Sequence, residues 1–273
     1  FFLMSREEMK DFGIQYKEKV KLPLIILGAT PSTLTKEKFS YMVDAGLWEI
    51  RMGIQSAGTN TKKIFKRPHS NKRVFHATNI ANRFKDKVRA KYDVIIDSPW
   101  ETDQDQIETL MFLARIKTPW LLNLFSLTFY PGTTLYTKAK KEGIITDDLN
   151  EIYRKSFHGY KKTYLNALFF MLKDYVEIGL GIHPKVMFML TNRSMMKLRL
   201  HKALFIFLKK IFIVAYPILR AKRLMQLGFS DLKEGDWTRI KRHLRRKNIF
   251  SGLFFPQRST SNIDLKPEES ITN

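Results

Sequence analysis

Polar side chains sit where apolar runs give way to helical patterns. The stretch DVIIDSPWETDQD, residues 93–105, opens with β-branched apolar residues and then sets Asp97, Trp100 and Glu101 at the turn into a helix. Gln55 and Ser56 close an earlier run, WEIRMGIQS, and Tyr130 closes a later one. Carboxylates, amides and hydroxyls gathered at strand ends can hydrogen-bond a ligand, and parallel-sheet enzymes place their sites at the carboxyl ends of strands. Metal chemistry finds less support. His69, His76, His158, His183 and His201 have no ligand spacing, and the chain has no cysteine to hold a thiolate metal site or a disulfide. The same residues also have plain structural readings. Asp93 can pair with Lys91 or Arg89, Gln55 and Ser56 can end a strand, and Arg67 can be a surface arginine. Glu101 can bond backbone groups at a helix start, Trp100 can pack, and Tyr130 can shape the YPGT turn.

The elements that must position these residues alternate. Residues 22–29, LPLIILGA, are a short apolar run between a lysine-rich stretch and a Pro-Ser-Thr turn, which predicts a buried strand. Residues 35–46 read as a helix, with Thr35 as cap, Glu37 in the first turn, Phe39, Met42 and Val43 on one face, and Gly46 at the end. Residues 48–56 are strand-like, and residues 71–84 are helical, with Val74, Ala77, Ile80 and Ala81 on one side. After the strand around residues 93–96, Thr102 caps a helix with Asp105 as its capping-box partner. Residues 120–129 form another strand, and YPGT turns into a short helix ending near Gly143. This βαβαβαβα order predicts a parallel sheet with right-handed crossovers.

From residue 149 the pattern changes to mixed aromatic and basic residues at helical spacing, broken by GLGIHP at residues 179–184. The domain expectation is a βα portion over 1–145, a helical basic region over 146–256, and a polar, disordered tail over 257–273. The chain carries 48 Lys+Arg against 26 Asp+Glu, a net charge of +22. Residues 1–150 hold 24 of the cations and 17 of the acids, so +15 of the net charge lies beyond them. That excess is compatible with nucleic acid, anionic lipid or an anionic substrate, or with a lysine-rich surface of no specific role.

The phrases RMGIQSAGTNTKKIFKRP, YDVIIDSPWETDQD and SLTFYPGTTLY occur in this order over residues 51–136. The set resembles the radical S-adenosylmethionine (SAM) superfamily, and within it the enzymes with an upstream cobalamin-binding domain. The resemblance covers residues 1–143. It implies an α/β fold: a partial (β/α)6 barrel of parallel strands, N-terminally truncated, followed by a mainly helical C-terminal region. The family's CxxxCxxC loop, which binds a 4Fe-4S cluster, would lie before Phe1. A degenerate, non-catalytic homologue is the alternative to truncation.

The resemblance also implies roles. Gln55, with Ser56 beside it, and Asp93 match positions that hydrogen-bond the SAM ribose or nearby atoms. Arg67, in IFKRP, matches the cation for the SAM carboxylate, a role suited to a planar guanidinium fork. Ile96 matches the apolar strand behind the adenine. Glu101 matches the acid ending the family's GxIxGxxE pattern, although Val94 and Ser98 replace its two glycines. Gln55, Arg67 and Asp93 should then meet around one nucleoside-sized hollow. The implied cofactors are SAM, a 4Fe-4S cluster ligated upstream, and cobalamin, although no DxHxxG motif occurs here. The implied reaction is reductive cleavage of SAM to a 5′-deoxyadenosyl radical, then C–H abstraction, with methyl transfer or rearrangement in the cobalamin subgroup. The chain alone is expected to be inactive. The implied partners are a small-molecule or lipid substrate and an electron donor such as flavodoxin or ferredoxin, in the cytoplasm.

The basic half supports two further readings. Aromatics interleave with cations at residues 157–164 and 237–250, a mixture that can stack on RNA bases, though no RNA-binding signature appears. Residues 203–219, ALFIFLKKIFIVAYPIL, are interrupted by Lys209 and Lys210 and cannot span a bilayer. Arg199, Lys202, Lys209 and Lys210 share one helical arc, with Ile206 and Ile213 intruding. That pattern fits either an interfacial helix on anionic lipid or a buried helix of the C-terminal region.

Overall fold

Four strands, β1 (Leu24–Ala29), β2 (Leu47–Gln55), β3 (Arg89–Ile96) and β4 (Leu121–Ser126), pair in parallel in sequence order. The computed structural model describes residues 3–177 and 179–197, with the isolated positions Ile218, Ala221 and Met225. The chain divides into two compact units, Phe1–Arg220 and Ala221–Asn273, and every element named below lies in the first. Apart from Ile218, the stretches 203–219, 237–250 and 257–273 lie outside the described residues.

The connections follow from local signals. Helix α1 (Arg6–Gln15) opens with a Ser5/Glu8 capping box and runs into a π turn, Tyr16–Val20, stopped by Lys21 at φ 58°. Helix α2 (Lys36–Asp44) starts at the Thr35 cap, and Gly46 at φ 101° turns the chain into β2. The β2–β3 crossover holds α3 (Thr59–Ile64) and α4 (Asn71–Arg83), the latter capped by Ser70. Helix α5 (Asp103–Ala114) carries the expected Thr102/Asp105 capping box, and α6 (Thr134–Lys141) begins at Thr133. Helices α7 (Tyr164–Glu177), α8 (Pro184–Leu190) and α9 (Arg193–Lys197) follow.

One sheet face is sealed. Ile50, Met52, Tyr92, Val94, Ile96, Leu122 and Leu124 form a core with Phe39 and Met42 of α2, Ala77 of α4, Leu110 and Leu113 of α5, and Phe169 and Leu172 of α7. Helix α7 packs on β4 and α5, so the chain beyond residue 146 completes this core. Full burial of each large side chain is worth about 1.5–3 kcal/mol, and Leu110→Ala would cost about 2–5 kcal/mol. The opposite face, called the open face below, is covered only in part: its residues are mostly half-buried, and Ile95 packs against a second apolar cluster that includes Leu127, Phe129 and Ile145. On β3 the burial alternates strictly, with Arg89, Lys91, Asp93 and Ile95 on the open side. Strand β1 therefore differs from the expected buried strand: Ile25 and Leu27 are 52% and 64% exposed. It is an edge strand covered on one face, so only half of its continuous apolar run is buried.

Candidate functional site

The open face carries three successive cross-strand rows, set by the parallel register. Glu49 of β2 lies opposite Arg89 of β3, and its carboxylate meets Lys91 Nζ at 2.7 Å and Arg89 Nε at 3.7 Å. In the next row Asp93 lies opposite Asn123, and Arg51, whose register partner is Lys91, reaches it diagonally. Arg51 Nε donates to both Asp93 oxygens at 2.9 and 2.7 Å, and Asn123 Nδ2 donates to Oδ1 at 2.8 Å. Asp93 therefore pairs with Arg51, while Lys91 and Arg89 belong to Glu49. A carboxylate has about four lone-pair sites, so these three bonds leave one on Oδ2. Next, Ile95 lies opposite Phe125, while a register shift sets Gln55 at the end of β2 against Val94; the Arg51 guanidinium lies 5.4 Å from the Phe125 ring centroid.

Gln55 ends β2 at φ 65°, and Asp97 follows β3 at φ 66°. Both are non-glycine residues in the left-handed region, a strain that clusters at ligand-binding rims. Gly53 lies opposite Asp93. A Cβ at Gly53 would come within 2.5 Å of Gln55 Nε2, so the missing side chain makes room for the glutamine amide beside the Asp93 row. That amide has no hydrogen-bond partner among the described residues.

Arg67 stands elsewhere. It lines a cavity of about 260 Å³ formed by the loop around α3 and the start of α4, with Lys62, Lys63 and His69. Neither Gln55 nor Asp93 lines that cavity. No carboxylate pairs with Arg67 among the described residues, and desolvation lowers its pKa. Desolvation also lowers the pKa of Lys62, whose Nζ donates to Asn71 Oδ1 at 2.9 Å. His69 is pushed down by desolvation and then by Arg67, Arg73 and Lys62. The residues that line the cavity include Lys62, Lys63 and Arg67 and no carboxylate.

The other three sequence candidates make contacts within the protein. Ser56 is 2% exposed; its Oγ lies 3.1 Å from Thr109 Oγ1 and accepts from Gly58 N at 3.1 Å. It fixes the loop that leads to the Arg67 cavity. Ile96 is fully buried in the helix-side core, and the open-face apolar residue of β3 is its neighbour Ile95. Glu101 accepts from Gln106 Nε2 at 3.2 Å, and its pKa is pushed up to about 7. Burial is the main cause; the Asp105 and Asp97 charges add to it and the Gln106 bond opposes it. The helix start beside it is satisfied by Thr102 and Asp105, so Glu101 does not cap backbone groups there. Trp100 packs edge-on against Phe129 at 5.7 Å, and its indole N–H donates to Glu142.

Sequence reasoning singled out Asp97 at the end of β3 but missed Arg51, Ile95, Asn123, Phe125 and the segment that crosses their ends. Asp97 accepts from Asn166 Nδ2 at 2.7 Å and Lys161 N at 3.2 Å. Phe157 O accepts from Ser126 N at 2.9 Å, Tyr160 Oη donates to Leu124 O at 2.7 Å, and His158 stacks on Phe125 at 6.3 Å. Residues 157–164, which sequence offered as an RNA-stacking mixture, thus spend Phe157, His158 and Tyr160 on β4. The available signal was alternation: Glu49, Arg51, Gly53 and Gln55 share one face of β2.

No family model matches the chain. It is 25% identical over 183 residues to the heme chaperone HemW of Haemophilus influenzae, a match that takes in 60% of this chain and 46% of HemW. The chain thus spans less than half the length of that relative. Among solved structures, the radical S-adenosylmethionine methyltransferase TsrM from Kitasatospora setae matches at a TM-score of 0.42 and 11% identity, over 50% of this chain and 27% of TsrM. Elp3 of Methanocaldococcus infernus matches at 0.37 and 21% identity, over 45% and 28%. The likeness of this chain is to the radical SAM superfamily, carried by the ordered motifs of residues 51–136 on four parallel βα strands.

Proposed function

We propose that this chain forms the SAM-binding flank of a radical SAM enzyme. The observation that carries the reading is the unpartnered Gln55 amide, held in the gap left by Gly53 beside the Asp93 row at the carboxyl ends of β2 and β3. Gln55 and the last Asp93 lone pair would take the ribose hydroxyls, and Ile95 would lie along the adenine. Arg67, short of an anion in its neighbouring cavity, would take the carboxylate.

The iron–sulfur cluster does not fit these residues. Such clusters are held by thiolates, and the chain has no cysteine. On this reading the cluster ligands come from outside residues 1–273, and these residues alone bind and orient SAM without carrying an electron. Cobalamin would also be held elsewhere, since no DxHxxG motif is present. The assembled enzyme would use a flavodoxin or ferredoxin as electron donor and act on an unreactive carbon of a small molecule or lipid, with methyl transfer or rearrangement as the outcome in the cobalamin subgroup.

Equilibrium dialysis with labelled SAM tests the reading. The wild-type chain should retain SAM, and Gln55→Ala and Arg67→Ala should each weaken retention about tenfold, the equivalent of about 1.4 kcal/mol. Lys141→Ala, on the far end of α6, should leave it unchanged. No retention by the wild type, or equal retention by all variants, would overturn the reading.

A further inference from the structure

Helix α8 has its inner face fully engaged. Met187 and Leu190 are 0% and 3% exposed, the helix packs on α5, and Leu190 O accepts from Tyr164 Oη of α7 at 2.7 Å. Its outer face is nevertheless apolar: Val186, Phe188 and Met189 are 44%, 66% and 54% exposed, and Leu180 just before the helix is 50% exposed. A short surface helix anchored in this way would ordinarily turn polar residues outward. Lys185, Arg193 and Lys197 flank the apolar residues and pair with no carboxylate among the described residues. The sequence around them is one-signed. Between Glu177 and Asp231 it holds ten Lys and Arg and no Asp or Glu.

We propose that the outer face of α8, with the cations of α9, docks the protein on an anionic lipid surface. This rests on the exposed side chains and their charge, and not on the SAM reading. Apolar residues ringed by uncompensated cations fit the boundary between acyl chains and anionic headgroups, where burial and electrostatic attraction add. A second copy of the chain is disfavoured, because two such faces would bring like charges together. RNA is disfavoured because only one aromatic, Phe188, stands on the face to stack a base. No helix among the described residues is long and apolar enough to cross a membrane, so the contact would be one of surface docking.

Vesicle co-sedimentation of the full chain tests this. The wild type should sediment with phosphatidylcholine–phosphatidylglycerol vesicles and stay in solution with phosphatidylcholine alone. Phe188→Asp with Met189→Asp should weaken binding about tenfold or more, with an unchanged melting temperature and unchanged SAM retention. The triple variant Lys185→Gln, Arg193→Gln and Lys197→Gln should weaken it at low salt without touching the apolar residues. The proposal is overturned if the wild type ignores anionic vesicles or binds neutral ones equally, or if either variant binds as the wild type does. It is also overturned if the aspartate pair instead splits a dimer on gel filtration, or abolishes RNA binding while vesicle binding persists.

Discussion

Burial lifts the Glu101 carboxyl to a pKa of about 7, well above its ordinary 4.5. Folding therefore favours the protonated acid. Its contribution to stability is complete below about pH 4.5 and is lost as pH rises to about 7, by up to about 3 kcal/mol at roughly 1.4 kcal/mol per unit. Glu101→Gln keeps the size and loses the charge. It should unfold at the same urea concentration as the wild type near pH 4 and at a higher one at pH 8; an identical shift at both values would contradict the burial argument. Asp93 acts as a shared acceptor between strands. Asp93→Asn keeps one acceptor oxygen but removes the charge and turns the other oxygen into a donor amide facing Arg51, and should cost about 1–3 kcal/mol in urea denaturation. The Arg51–Asp93 pair spans 42 residues of sequence and exists only because β2 and β3 lie in parallel register, so neither composition nor motif could reveal it. Ile95 and Ile96 show the same at one-residue resolution: the face a strand residue takes is fixed by register, and Ile96 lies in the helix-side core while Ile95 takes the other face.

The turn from β2 into α3 works by close approach. A Cβ on Gly58 would lie 2.6 Å from Asp105 Cβ and 2.7 Å from Asp105 Cα and O, backbone that cannot move aside. Asp105 in turn accepts from Asn60 N, Thr61 N and Thr102 Oγ1. Burial would raise its pKa, yet these bonds outweigh burial and lower it. Gly58→Ala should thus push α3 off α5 and destabilise by about 3 kcal/mol. It should also weaken SAM retention, since Ala57 and Thr59 line the Arg67 cavity; thermal melting and dialysis read the two effects separately. Elements with caps and a single stripe were legible in sequence, as with Thr35 for α2 and the Thr102/Asp105 box for α5. Helices α1 and α3 were not, because the first is strongly charged and the second is six residues with no apolar stripe.

Across the first compact unit, the sheet has a sealed face that supplies stability and an open face that supplies chemistry. The parallel order, the helix-covered core and the polar strand ends follow from the alternation of apolar runs with capped helical stretches. The open face was harder to read, since β1 looks like a buried strand until its one-sided cover is known. The separation of Arg67 from the Gln55–Asp93 rows was hidden as well, because it depends on how α3 and α4 fold the loop between β2 and β3. The central claim is that SAM bridges that separation. Hydrogen–deuterium exchange of the full chain with and without SAM tests it most directly. SAM should slow exchange in residues 51–58, 62–71 and 89–97 together, with α6 unchanged. Protection confined to one of these stretches, or absent from all three, would contradict it.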